Sequence, residues 1–179
     1  MSNTNNSINK KPEALHSKTV NPANLLELQV LTKIVTDLQK RKQKDGIRGS
    51  IPYLAKIVQI VENQTLEKPS LSASQQEKDK YYKRLNELRK VQADAYAQLA
   101  DAYFRTQNFI LCESNLSIAV KHWEKLLEHD ASSVKYCQTR LKDAYEQLAE
   151  AYEQMGKENL AQHMKTRKAK LLKEIAEQS

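Results

Sequence analysis

The ten residues Asp94 to Tyr103, DAYAQLADAY, return 49 positions later as DAYEQLAEAY from Asp143 to Tyr152, with eight of the ten identical. A self-match at a period between about 20 and 50 residues marks stacked supersecondary units, none of which buries its apolar face alone. Within the first copy Tyr96, Leu99, Ala100 and Tyr103 are spaced i, i+3, i+4, i+7, one face of a helix. Tyr145, Leu148, Ala149 and Tyr152 repeat that spacing. The alanines allow a neighbouring helix to come close. The Tyr and Leu side chains supply the buried area, about 1.5–3 kcal/mol for a fully buried large side chain.

The rest of the chain reads as helical too. Three glycines and four prolines in 179 residues, with abundant Leu, Ala, Lys, Glu and Gln, predict an all-α fold of about six helices in antiparallel hairpins. Residues 1–20 are rich in Asn, Ser and Lys and are expected to be a disordered arm. Residues 21–179 are expected to form a single domain: an N-terminal hairpin over 21–64, a loop over 65–76 and two long hairpins over 77–179. Helix one carries Leu25, Leu28, Leu31, Val35 and Leu38, and Gly46 is expected to cap its end. Ser50 is expected to cap helix two, with Pro52 in its first turn. Helix three runs from Ser74 or Gln75 to about Thr106, and helix four from Asn108 to His129. Ser132 and Ser133 should cap helix five, which ends near Met155, and Gly156 should make the turn into helix six. On that last helix Leu160, Met164, Leu171 and Ile175 form a thin apolar stripe.

The repeated segment resembles the first helix of a tetratricopeptide repeat, which carries an aromatic, a Leu, a small residue and a Tyr. Phe109, Cys112, Leu116 and Ala119 then match the aromatic, small, bulky and small positions of that family's second helix. The second copy keeps Gly156 and Ala161 but places Glu158, Lys165 and Lys168 at aromatic or small positions, as suits a terminal repeat whose outer face meets water. The family period is about 34 residues, so the resemblance implies lengthened helices, and it covers roughly Lys83 to Ala169. It also implies a solenoid of stacked hairpins whose concave face, lined by first helices, binds a peptide or helix of another protein.

Chemistry-bearing patterns are missing from the sequence. His16, His122, His129 and His163 lack an i, i+4 partner, Cys112 and Cys137 lack a CxxC neighbour, and there is no phosphate-binding glycine loop or nucleophile elbow. The expectation is therefore no catalytic, cofactor-binding or metal-binding site. The cysteines are expected to be buried small hydrophobes. With neither a signal peptide nor a long apolar run, a cytoplasmic protein without a membrane span is expected.

What remains is a surface. Helices three and five should line the concave face, with Lys90, Asp94, Gln98, Asp101 and Arg105 on one and Lys142, Glu146, Glu150 and Glu153 on the other as partner-binding residues. Their mixed charges fit a polar peptide or a helix bearing both signs. Two basic patches, Lys40, Arg41, Lys42, Lys44 and Arg48, then Lys165, Arg167, Lys168, Lys170 and Lys173, belong to a chain of net charge +7. They support an alternative, a nucleic-acid-associated regulator, alongside plain solubility. A further alternative is a self-assembling structural subunit, a homo-oligomer joined through helices one and two.

Overall fold

A computed structural model describes residues 22–40 and 44–177. The expected arm over 1–20 and the basic residues Arg41 and Lys42 lie outside the described residues. Six helices follow one another: α1 (Pro22–Lys40), α2 (Lys44–Glu62), α3 (Gln75–Arg105), α4 (Phe109–His129), α5 (Val134–Gln154) and α6 (Glu158–Glu177). No strand occurs among the described residues. The fold is all-α, and each helix packs chiefly on its neighbours in the chain: α1 on α2, α2 on α3, and so on to α6.

The N-terminal hairpin corrects the sequence reading. Gly46, Gly49, Ser50 and Pro52 all lie inside α2, which starts six residues before Ser50. Gly46 is buried in helical conformation and caps nothing. Gly49 is exposed on α2, and a Cβ added there would make only ordinary contact with Leu38 Cδ2 at 4.0 Å, so packing does not demand glycine at this position. Ser50 is fully buried, donates to the Ile47 carbonyl at 2.7 Å and accepts from Gln39 Nε2 at 3.3 Å. Internal hydrogen bonding lets it sit where a cap was expected.

The other ends follow the sequence closely. Ser74 and Glu77 form a capping box at the start of α3. The Ser74 hydroxyl and backbone N–H, both bonded to the Glu77 carboxylate, hold its pKa below the usual carboxylate value. Asn108 caps α4. At α5 the two serines do not cap the helix: a 3-10 turn, Ala131–Ser133, precedes it, and Asp130 accepts from both serine hydroxyls. Desolvation opposes the charge on Asp130, but those bonds and the Ser132 N–H outweigh it and leave its pKa lowered.

Two cores form. Val35, Ile47, Leu54, Val58 and Val61 of the first hairpin close on Ala95, Leu99 and Ala102 of α3. The larger core joins α3 to α6 around Leu116, Trp123, Leu126, Leu141, Tyr145 and Leu148. Tyr96 and Tyr103 pack against both, so the first repeat copy is the seam between them. Cys112 and Cys137 are free and fully buried, and burial pushes their thiols up to about 12 and about 11. On α6, Met164 and Leu171 are buried as expected, while Leu160 faces solvent and Ala161 takes the inner position.

Candidate functional site

The helix α4 packs on both of the repeat-bearing helices, α3 and α5. Between them runs a groove of about 500 Å³. Its floor is Leu116 and Trp123 of α4, and Ala97 and Phe104 of α3 face Ala144 of α5 across it. Of the two alanines, Ala144 belongs to the repeat, while Ala97 stands where the second copy has Glu146.

Side chains, not backbone packing, tie the two walls together. The Tyr136 hydroxyl donates to Asp94, and Arg140 Nε lies 3.7 Å from the same carboxylate. Lys90 sits 4.4 Å from the centre of the Tyr136 ring and the Arg140 guanidinium 5.5 Å, a cation–π pair on one phenol. Burial, and then the bond to Asp94, raise the Tyr136 pKa to about 12. The fully buried Trp123 indole N–H faces this hydroxyl without closing a well-aligned hydrogen bond to it. Further along, Gln147 donates to Asp101 at 3.3 Å. These bridges fix the width of the groove.

Of the nine residues expected to meet a partner, Asp94, Gln98, Asp101, Glu146 and Glu150 line this one groove. Glu153 lies beyond it, in an adjoining hollow that Glu146 and Glu150 share with Lys165 and Lys168. Arg105 pairs with Asp101 at 3.7 Å and Lys142 with Asp143 at 3.4 Å, both outside the groove's lining. Lys90 lies apart from those five: it lines a different hollow, beside Asp130 and the serines of the 3-10 turn, with its ammonium over the Tyr136 ring. Sequence reasoning missed Tyr136, Arg140 and Asp143. The signal was available for Asp143, which is the repeat equivalent of Asp94, but not for the α5 residues that precede the repeated segment.

The second basic patch is interleaved with carboxylates. On α6 every member of the second patch stands beside a carboxylate: Lys165 with Glu153 at 2.5 Å, Arg167 with Glu124, Lys168 with Glu146 at 3.0 Å, Lys170 with Glu174 at 3.9 Å and Lys173 with Glu177 at 3.8 Å. Arg167 also stacks on the Tyr145 ring at 4.7 Å. In the first patch Lys40 pairs with Asp37 at 3.5 Å and Arg48 is exposed on α2. Lys44 opens that helix.

Among the described residues, no three His, Cys, Asp or Glu side chains converge as metal ligands would. No helix among them is long and apolar enough to cross a membrane. His122 is partly buried, and desolvation lowers its pKa. No protein-family model, curated protein or solved structure matches this chain.

Proposed function

We propose that this chain is a non-catalytic interaction module of tetratricopeptide-like build, acting in the cytoplasm, which holds a peptide or helix of a partner protein in the groove between α3 and α5. The observation that carries this reading is the groove itself. Five of the nine residues expected at a partner surface line one hollow whose apolar floor and polar walls suit a side chain with both characters. From Asp94 to Phe104 the wall extends about 15 Å along α3, room for about ten residues of a helical peptide. Between them, the two sets of bridging side chains keep the walls apart before any partner arrives, which lowers the ordering cost of binding.

A photo-crosslinking residue at Gln98, exposed on the groove wall, tests the reading in native lysate against the same residue at Lys125, exposed on α4. A discrete protein adduct specific to position 98 is expected. Equal adducts at both positions would remove the support for the groove.

One observation favours self-assembly as a second reading. Leu26 and Val30, one turn apart on α1, are 68% and 51% exposed, an open apolar strip at the end of the helix series. Sedimentation of the wild type against Leu26→Lys with Val30→Lys separates the readings, because only an assembly joined through α1 changes mass.

A further inference from the structure

The groove is acidic in a chain that is basic as a whole. Asp94, Asp101, Asp143, Glu146 and Glu150 line it against a single cation, Arg140, so the lining carries five negative charges and one positive, a net −4, within a chain of net +7. The other cations near these carboxylates lie outside the lining: Arg105, Lys142 and Lys168 pair with three of them, and Lys165 shares the adjoining hollow with Glu146 and Glu150. The Arg105 and Lys142 pairs are solvent-exposed and each contributes about 0–1 kcal/mol, so an incoming cation can replace them at little cost, whereas Lys168 is 26% exposed and stays beside Glu146. Glu150 is exposed and forms no ion pair among the described residues. Beneath the carboxylates lie Phe104, Trp123, Ala97 and Ala144.

Acid at the rim over an apolar floor matches one kind of side chain: a long stem ending in a cation. Lys and Arg lay their methylene stems on apolar surface and carry the charge outward, and Arg adds a planar guanidinium that a carboxylate accepts with two hydrogen bonds. An acidic peptide or a phosphate chain meets repulsion here, because clefts lined by one sign of charge concentrate the opposite sign.

We infer that the α3–α5 groove is selective for a cationic partner segment, a short helix or peptide presenting Lys or Arg beside a large apolar side chain. The inference rests on the groove being the partner site. Glu150 and Asp143 receive the cationic head, Phe104 and the Trp123 edge receive the apolar neighbour, and the Asp94–Tyr136–Arg140 bridge keeps the hollow open.

Panning a phage-displayed library of random peptides about 12 residues long, roughly the groove's helical span, against the full-length chain tests this. Three variants are panned and titrated in parallel: Gln98→Trp, which fills the groove from an exposed position, Glu150→Lys and Asp143→Lys, with thermal melts to verify folding. The expected result is enrichment of Lys/Arg-bearing peptides that no longer bind Gln98→Trp and weaken at least about tenfold against Glu150→Lys, a loss typical of one interfacial charge pair. Peptides that need the open groove but are neutral or acidic, or that ignore both charge reversals, overturn the cationic selectivity and leave the groove as a binding site. Enriched peptides indifferent to Gln98→Trp, or no enrichment at all, overturn the groove reading along with it.

Discussion

The two copies of the repeat share eight of ten residues but do different work. On α3 the first copy faces backward onto the α1–α2 hairpin through Ala95 and Leu99 and forward into the larger core through Ala100, joined by Ala93 just before it. On α5 the second copy has Tyr145, Leu148, Ala149 and Tyr152 all buried within the larger core. One interaction nevertheless recurs. The Tyr96 hydroxyl donates to Glu62 at the end of α2 at 2.9 Å, and its twin Tyr145 donates to Glu124 on α4 at 2.8 Å. In both copies a repeat tyrosine thus reaches a carboxylate on the preceding helix. The α1–α2 hairpin therefore stands to the first copy as α3–α4 stands to the second, although its own sequence shows none of the repeat. What is repeated is an interface, and identity extends beyond its packed residues to Asp94/Asp143 and Gln98/Gln147 of the groove.

Truncating the equivalent leucines sharpens this comparison most. Leu148→Ala and Leu99→Ala each remove a buried side chain and are expected to cost about 2–5 kcal/mol. The sole tryptophan, Trp123, lies in the core that holds Leu148 and apart from the one that holds Leu99. In urea, Leu148→Ala should move the Trp fluorescence and far-ultraviolet dichroism transitions together. Leu99→Ala should let the first hairpin melt ahead of Trp123 and separate the two curves. Coincident curves for both variants would show that the seam at Tyr96 and Tyr103 couples the two cores into one cooperative unit.

Alkali separates the twin tyrosines. Burial, aided by the bond to Glu62, raises Tyr96 from a usual value near 10 to about 12, and the same causes, with Glu124 as acceptor, push Tyr145 further. A phenol whose folded pKa is raised contributes stability that is fully present below the unfolded value near 10 and is lost as pH rises through the folded value. Stability should therefore fall above about pH 10. Tyr145→Phe should remove more of that fall than Tyr96→Phe, as read from chemical denaturation at stepped pH. An equal effect from both would mean that the copies share one environment.

The twin aspartates differ next. Asp94 accepts from Tyr136 and pairs with Arg140, both on α5, whereas Asp143 pairs only with its neighbour Lys142 in an exposed position. Asp94→Ala is expected to cost about 1–3 kcal/mol, because it leaves the half-buried Tyr136 hydroxyl without its acceptor. Asp143→Ala should stay within about 0.5 kcal/mol, as for an ordinary surface change. Thermal melts of the two variants suffice. Tyr136→Phe with Asp94→Ala closes a double-mutant cycle that measures the bridge itself.

Most of the architecture was legible because it rests on local chemistry. The boundaries of α3 to α6 follow from Ser74, Asn108 and Gly156, and their buried faces from a spacing of three and four. The first hairpin was misread for an equally local reason. Gly46, Ser50 and Pro52 read individually as the end of one helix and the start of the next, yet all three lie within α2, where buried Ser50 accepts from Gln39 of α1 and Leu54 and Ile47 enter the core shared with α3. Tertiary contacts there override propensity. At the groove, periodicity placed Asp94, Asp101 and Glu150 off the packing seam and hence within reach of a partner. It carried no information on which charges meet across helices, so the pairing of α6 cations with carboxylates of α4 and α5, and the resulting acidity of the groove, emerged only from three dimensions.

The smallest difference lies where each repeat helix ends. Gln107 and Gly156 occupy equivalent positions 49 residues apart, with φ of 64° and 69°. Each closes the same pair of bonds: Asn108 N–H to the Tyr103 carbonyl at 2.8 Å and Gln107 N–H to Phe104 at 2.9 Å, then Lys157 N–H to Tyr152 at 2.8 Å and Gly156 N–H to Glu153 at 3.0 Å. This is the Schellman arrangement, whose left-handed residue is ordinarily glycine. A side chain in that conformation costs roughly 1–2 kcal/mol, offset in part by the greater chain entropy that glycine loses on folding. Gln107→Gly should therefore stabilise by up to about 1 kcal/mol and Gly156→Gln should destabilise by a similar amount. At Gly156 nothing lies within 4 Å of the position an added Cβ would take, so the second effect isolates backbone strain from crowding. If exchanging the two residues, Gln107→Gly with Gly156→Gln, leaves the melting temperature unchanged, the two helix ends are energetically the same device, and the asymmetry of the copies resides wholly in what packs against them.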